Sequence, residues 1–410
     1  MLDLPSLFAP IAHHPVIGLA VSGGADSLAL MLMAAEWASG LASPPRLVVY
    51  SVDHGLRAEA AGEVAFVLGA AARLGLAGRG LRWEGEKPSS GVQASAREVR
   101  YRLMGAAMAQ DGANVLLTAH HRNDQAETVL MRLAHGSGLD GLRGMSAFAE
   151  VEGVPVFRPL LGVPPEQLRA VVAAAGLAPV ADPSNADEHY ERVRWRGALP
   201  LLDELGLDAG ALARFARRAG EADDAIALMA EARLRALAVV DGVGAVQLPA
   251  AEIALLPRSV GVKLLLRLLD RVGGGQKPRA LGQVERLFDE LTASDSMEAT
   301  LLGARLRRRG AMLLATREPG RQRAGEAVLD PQASLVWDGR FRVSNGGRGR
   351  ILIGAAALSR PAAELLVGRR LASPASAIRS APLVRSEDGA VLALGAHHIR
   401  QGVSVEFSGW

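Results

Sequence analysis

The chain opens with short β-branched apolar runs alternating with longer helix-like ones. Val16 to Val21 (VIGLAV) predicts a strand, and Leu28 to Ala38 predicts a helix that is apolar on every side. A helix of that kind suits burial against a sheet. Arg46 to Val52 (RLVVYSV) predicts the next strand and Ala60 to Leu74 the next helix. Gly80 to Trp83 reads as a short strand and Ala94 to Ala109 as a helix. Val115 to Ala119 (VLLTA) then reads as a strand and Gln125 to Ala134 as a helix. This spacing predicts a parallel sheet covered on both faces, an α/β Rossmann-like catalytic domain over residues 1–205.

The pattern changes near Pro200. From Leu201 to about Leu291, Ala, Leu and Arg recur at helical spacing, so residues 206–318 are expected to form a mainly helical domain. Thr300 to Ala315 alternates like a hairpin, with Gly310 near its turn. Residues 316–332 are rich in Arg, Gly and Pro and read as a linker. Residues 330–410 form a small C-terminal domain whose class the pattern does not set.

Composition narrows the function. A chain of 410 residues exceeds one ordinary core. Its first residues lack a basic region ahead of an apolar one, and no run reaches the roughly 18 apolar residues of a membrane helix. The expected location is therefore cytoplasmic, with no membrane partner. There is no cysteine, which excludes disulfides, zinc–thiolate and iron–sulfur sites, Cys nucleophiles and Cys sulfur carriers. Only Lys87, Lys263 and Lys277 are lysines, so Arg supplies 43 of the 46 basic residues (46 less 3). A GC-rich genome accounts for such a bias, but Arg is also the better phosphate fork. The net charge of +3 implies that a nucleic-acid partner would meet a basic patch rather than a basic whole.

The densest chemistry lies in Ser22-Gly23-Gly24-Ala25-Asp26-Ser27, between the first strand and the first long helix. A helix start there gathers unpaired N–H groups around an anion. The two glycines leave no Cβ in a phosphate's way, and Asp26 offers Mg²⁺ a carboxylate. No Gly-Lys-Ser/Thr follows, so this is not the Walker pattern, and it is not GxGxxG. A second cluster, His120-His121-Arg122-Asn123-Asp124-Gln125-Ala126-Glu127, begins at a strand end and opens a helix. Asp124 reads as a second magnesium carboxylate, a reading compatible with Asn123 or Asp124 capping the helix. Glu127 lies one turn further on the same side. His120 reads as a polar group near phosphates or a substrate base, because the His pair lacks a third zinc ligand.

Asp53 and His54 follow the second strand, where an adenine or ribose fits, as does a plain turn. Arg97 and Arg100 share a helix face that suits phosphate, RNA or solvent. Gly136, Gly138, Gly141 and Gly144 mark a close-approach loop around Arg143. Asp182-Pro183-Ser184-Asn185, then Tyr190, Arg192, Arg194, Trp195 and Arg196, suit a nucleic-acid or phosphate surface. Arg305, Arg307, Arg308 and Arg309 form the densest basic cluster, either an RNA contact or a solvated hairpin edge.

SGGADS after a strand resembles the pyrophosphate (PP) loop of the ATP-pyrophosphatase superfamily. VDHGLR, AREVRYRL, HHRNDQAET, HGSGLDGLRGM, the Arg158-Pro159-Leu160-Leu161 step, DPSN and RVRWRGALP follow in order. That set resembles the bacterial tRNA(Ile)-lysidine synthetase family, densely over residues 16–200 and faintly at Ala299–Gly310 and Ala381–Gly395. The family usually has Arg-Asn where this chain has Arg192-Val193, so any role of that Asn is lost here.

The resemblance implies two ATP-dependent steps on the wobble cytidine in the CAU anticodon of a minor isoleucine tRNA. Adenylation of the cytosine carbonyl oxygen is followed by attack of free L-lysine at carbon 2, giving lysidine, AMP and pyrophosphate. It implies that Ser22, Gly23, Gly24, Ala25, Asp26, Ser27, Asp53 and His54 bind ATP, and that Asp26 and Asp124 hold Mg²⁺. Asp26, Asp124, His120, Glu127 and Arg97 would be catalytic. Arg100, Arg143, Ser184, Asn185, Arg192, Arg194 and Arg196 would meet tRNA or substrate. A tRNA 2-thiolation enzyme and a small-molecule amide ligase of the same superfamily are the alternatives, the first disfavoured by the lack of cysteine. Nothing sets the oligomeric state, and a homodimer is one arrangement open to the chain.

Overall fold

The computed structural model describes residues 2–55, 57, 59–85, 87–88, 91–180, 189, 191–275, 281–318 and 324–408. Ser184, Asn185 and Tyr190, singled out above, lie outside them. The chain forms two compact units, Met1–Asp223 and Asp224–Trp410.

In the first unit the elements run α1 (Leu4–Phe8), β1 (Val16–Ala20), α2 (Ala25–Ser39), β2 (Arg46–Asp53), α3 (Ala60–Arg73) and β3 (Ala77–Arg82). Then come α4 (Val92–Asp111), β4 (Leu116–Leu117), α5 (Arg122–Ala134), α6 (Leu139–Leu142), β5 (Phe148–Val151), β6 (Val154–Phe157), α7 (Pro165–Ala174) and α8 (Glu191–Glu204). The sheet order is β3-β2-β1-β4-β6-β5, with every pairing parallel except the β5–β6 edge. The α/β parallel-sheet expectation holds. The fourth strand is shorter than its apolar run, because only Leu116 and Leu117 pair with both neighbours.

Period-two alternation sends the strand side chains into two cores. Leu47 and Val49 of β2, Leu117 of β4 and Phe157 of β6 pack with the buried face of α2, with Val67 of α3 and with Leu168 of α7. Val48, Tyr50, Leu116, Val154 and Val156 pack on the other face with Tyr101, Met104 and Met108 of α4. Phe8 stacks on Trp37, with centroids 5.0 Å apart, and closes the outer side of α2. This explains why α2 has no polar face.

Chain order reverses beside β1: β2 and β3 lie on one side, β4 and β6 on the other. Ligands of open α/β sheets bind at such a switch point, outside the strands' carboxyl ends. The Ser22–Ser27 loop leaves β1 there, and Thr118 to His121 leaves β4 beside it.

The helix α9 (Ala209–Leu237) contributes its first half to this unit and its second half to the other. In the second unit β7 (Val239–Val240), β8 (Val246–Pro249), α10 (Ala250–Ala254), α11 (Arg258–Gly273) and α12 (Leu281–Ala293) precede β9 (Ser296–Leu301), β10 (Ala304–Arg309) and β11 (Met312–Arg317). The helical region therefore also carries a five-stranded sheet, β7-β8-β11-β10-β9, packed against α11 and α12. Its strands β7 and β8 are too short to show against an Ala- and Leu-rich background.

The C-terminal part is β-rich. It contains β12 (Ala327–Leu329), β13 (Ser334–Trp337), β14 (Phe341–Asn345), β15 (Ile351–Ala355), α13 (Arg360–Val367) and α14 (Ala375–Ser380), then β16 (Pro382–Ser386), β17 (Val391–Leu394), β18 (His397–His398) and β19 (Val403–Phe407). The stretch read as a linker ends in β12, which pairs with β15.

Asp111 at the end of α4 ties that helix to the sheet. It accepts from the buried Tyr50 hydroxyl at 3.0 Å and from Arg79 Nη2 at 2.6 Å. Burial first, then Asp111, pushes the Tyr50 phenol above its usual range. Removing the hydroxyl in Tyr50→Phe should cost about 1 kcal/mol. The check is a lower urea midpoint at unchanged denaturant slope; an unchanged midpoint would discount the tether.

Candidate active site

The glycine loop holds its own shape. Ser22 N donates to Ser27 Oγ at 3.1 Å, and Ser27 Oγ donates to Gly24 O at 2.9 Å. Ser27 is buried, so its hydroxyl serves the loop. Gly23 has φ of +90°, a region that favours glycine. Val180 N donates to Gly23 O at 2.9 Å, and a Cβ on Gly23 would meet Val180 Cγ2 at 3.1 Å. Gly24 is the N-cap of α2 and supplies no capping side chain. The first amides of α2 are thus offered to an anion.

The second strand end faces this loop through a histidine. His121, not Asn123 or Asp124, is the N-cap of α5. Its Nδ1 accepts from Asn123 N at 3.2 Å and Asp124 N at 3.4 Å, while His121 N donates to Asp124 Oδ2 at 2.9 Å. This is a capping box with imidazole in the usual hydroxyl's place. The other nitrogen, Nε2, lies 3.5 Å from Asp26 Oδ2. His121 therefore links the two carboxylates expected to hold metal. Burial opposes its positive form, but the Asp26 contact and the charges of Asp124 and Glu127 outweigh it, and its pKa rises. The neutral Nε2–H tautomer satisfies the cap and Asp26 together. A second proton would exchange the amide contacts for Asp124 Oδ2 at 3.6 Å.

Glu127 is fully buried, and both its oxygens are engaged. Oε2 accepts from Arg192 Nε at 2.7 Å, and Oε1 accepts from Arg196 Nε at 2.8 Å. Arg192 Nη2 also donates to Asp124 Oδ1 at 3.2 Å. Arg192 and Arg196 lie four apart, one turn of α8, so one buried carboxylate docks that helix on α5. Leu199 of α8 and Leu212 of α9 pack on Val129 and Leu130 beside the ion pairs.

His120 accompanies a positive group. Thr118 Oγ1 lies 2.9 Å from its Nδ1. Burial first, then Arg158, Arg192, Arg97 and Arg100, lowers its pKa to about 3, so the ring is neutral at physiological pH. Arg97 and Arg100 lie over the Tyr101 ring, 5.1 and 5.3 Å from its centroid. The site thus has an acidic half around Asp26, Asp124 and Glu127 and a basic half around His120.

The remaining residues divide. Asp53 Oδ1 accepts from Gly55 N at 2.7 Å, which closes a turn at the end of β2. His54 meets Trp83 edge-on at 6.4 Å. Arg143 Nη1 lies 3.7 Å from Asp223 Oδ2, and Arg194 donates to His189 O at 3.0 Å. The glycine loop around Arg143 is fastened to α5: Gln125 exchanges hydrogen bonds with Met145 at 2.9 and 2.6 Å, and Arg132 donates to the Gly141 and Gly144 carbonyls. Gly144 has φ of +68°, a region that favours glycine, and a Cβ there would displace Gln125 Oε1, 2.5 Å away, from its bond to Met145. In the second unit Arg308 is buried against Asp295 and the Leu291 carbonyl, while Arg305 and Arg307 share Glu298.

Among the described residues no group of three or more His, Asp or Glu side chains could hold a metal ion. Asp124 already accepts from Arg192 at Oδ1 and from His121 N at Oδ2, so a cation bound by Asp26 and Asp124 would share oxygens with these donors.

Residues 3–202 match the PP-loop domain family. The chain is 45% identical over 327 residues to the tRNA(Ile)-lysidine synthase of Rhodopseudomonas palustris, covering 77% of this chain and 94% of that one. It is 42% identical over 346 residues to the enzyme of that name from Bradyrhizobium diazoefficiens, covering 79% and 96%. The chain belongs to the tRNA(Ile)-lysidine synthase family. Among solved structures, the U34-tRNA thiolase NcsA of Methanococcus maripaludis aligns at a TM-score of 0.46 and 13% identity, over 52% of this chain and 76% of that one.

Against this family background, two residues that the motifs name without a role, His121 and Arg158, lie beside the assigned ones. His121 was legible as a cap, since Asp124 lies three residues after it. Arg158 follows β6 directly, and in the sequence it stands out only as the start of the Arg158-Pro159-Leu160-Leu161 step.

Two outcomes test the charges. Glu127→Gln removes the anion between two half-exposed arginines and should cost about 1–3 kcal/mol. Unchanged thermal stability would separate α8 docking from this carboxylate. The depressed His120 pKa stabilises the fold above the unfolded value of 6.5 and loses that contribution as pH falls towards 3. His120→Gln should therefore flatten the fall in stability between pH 6.5 and 4. A slope equal to the parent's would contradict the shift.

Proposed function

We propose that this chain ligates free L-lysine to carbon 2 of the wobble cytidine in the CAU anticodon of a minor isoleucine tRNA, at the expense of ATP. The observation that carries the chemistry is the Asp26–His121–Asp124 array set beside the open N-terminus of α2. Backbone amides of the loop from Gly23 to Ser27 receive the pyrophosphate, Ser22 N being engaged by Ser27 Oγ, as its charge grows when the cytosine carbonyl oxygen attacks the α-phosphate. Mg²⁺ held by Asp26 and Asp124 would neutralise phosphate charge. Asp53 and His54 lie at the next strand end, where the nucleoside fits.

In the second step the lysine ε-amine attacks carbon 2, AMP leaves, and the ammonium proton departs before attack because only the free amine is nucleophilic. Asp124, less buried than Glu127, is the acceptor we assign to that proton. Glu127, with both oxygens on guanidinia, positions Arg192 and Arg196 towards tRNA or substrate. His120 stays neutral and donates or accepts a hydrogen bond at the base, with Arg97 and Arg100 beside it. Arg143 and Arg194 contribute to the RNA surface. A thiolation reading has no cysteine to carry sulfur.

AMP release should require both lysine and unmodified isoleucine tRNA bearing CAU, and elongator methionine tRNA should not replace it. AMP formed without any tRNA would make the protein a small-molecule ligase. Asp26→Asn should lower AMP formation by roughly 100-fold or more. Near-parent turnover in that variant would remove Asp26 from the metal site.

A further inference from the structure

The end of β6 carries a charge that the steps above leave unused. Arg158 is 6% exposed. Its backbone N donates to Ala147 O at 2.8 Å and its Nη1 to Ser146 O at 2.7 Å, which fixes the guanidinium. Its Nε is buried without a partner, as is that of Arg100. No carboxylate among the described residues pairs with Arg97, Arg100 or Arg158.

The topology explains how these groups meet. Leu117 pairs with Phe157, so His120 and Arg158 leave adjacent parallel strands at the same end of the sheet. The helix α4 packs across β6 and brings Arg97, Arg100 and the fully buried Tyr101 to that end. The charge of Arg97 bears on Arg158, and both bear on His120. Burying a guanidinium without an anion is costly, and an anionic ligand at this strand end would offset that cost.

The ATP phosphates already have the glycine loop at β1. That loop is two strands from β6, roughly 10 Å across the sheet. A planar, anchored guanidinium matches a carboxylate fork. The anion left over in the proposed reaction is the α-carboxylate of free lysine. We propose that Arg158, with Arg100 beside it, receives the α-carboxylate of the amino-acid substrate and so selects an amino acid over a simple diamine. This rests on the lysine-ligating reading above.

The experiment uses the full chain as parent, Arg158→Gln and Arg158→Lys. Adenylation is read as pyrophosphate released in a single turnover with tRNA and no lysine. In R158Q that step should stay within about two-fold, while the KM for lysine rises roughly 10- to 100-fold with kcat little changed. R158K should fall between. The parent's preference for lysine over 1,5-diaminopentane should collapse in R158Q.

Loss of pyrophosphate release at unchanged lysine KM would overturn the proposal and assign the pocket to a phosphate of ATP or RNA. Parent-like values for both would leave Arg158 a purely structural residue. If R158Q does not fold, the parent alone decides: 6-aminohexanoate must compete with lysine better than 1,5-diaminopentane does, and equal competition refutes the pocket. A parent that releases no pyrophosphate with tRNA would instead sink the lysine-ligating reading itself.

Discussion

Gly18 pairs with Leu116 and Leu19 with Leu117, and these two pairs bring together segments about a hundred residues apart. Everything at the site depends on that short parallel contact. β1 delivers the glycine loop and Asp26; β4 delivers His120, His121 and the start of α5. Parallel pairing sends both strand ends the same way, and the reversal of chain order leaves a crevice between their connections. The ladder is short, but its side chains lie in two cores, Leu19 and Leu117 on one face and Leu116 on the other. Hydrophobic burial on both faces holds a register that few backbone hydrogen bonds specify.

From that contact the charges follow in two groups with opposite needs. Asp26 of α2 with Asp124 and Glu127 of α5 concentrate negative charge, moderated by His121, Arg192 and Arg196. Arg97, Arg100 and Arg158 concentrate positive charge around a neutral His120. Within the acidic group nearly every oxygen has a donor, so it is ordered before any ligand arrives. In the basic group two guanidinium nitrogens have none. Preorganised charge of this kind favours a developing or incoming opposite charge without reorganisation at the moment of reaction.

Much of this was legible from residue order. The glycine loop between VIGLAV and an all-apolar helix was readable because its local chemistry and both flanks agree. Four of the six strands of the sheet were readable for the same reason; the β5–β6 hairpin, with four residues a strand, was not. The roles of charged side chains were not, because a motif gives spacing along the chain but not the partner across it. Glu127 looked like a free acid one turn after Asp124; two arginines some 65 residues later occupy it. Arg308 looked like part of a basic surface; it is buried against Asp295. His121 looked like the lesser of two histidines, yet it spans the carboxylates, because a cap must face the preceding strand end. β7 and β8 escaped notice because a strand of two to four residues has too few alternations to register.

The contrast between Arg308 and Arg158 shows what separates a structural from a ligand-directed buried arginine. Both side chains enter the protein and both donate to backbone carbonyls. Arg308 also meets a carboxylate, so its charge is answered within the fold. Arg158 meets none, and its neighbours Arg97 and Arg100 raise the local positive potential further. A fold under selection for stability alone would replace Arg158 with an apolar residue or bring an acid beside it, since either relieves the desolvation cost. Sites that sacrifice stability in this way are those where a ligand supplies the missing group, and the strand end at β6 has that character.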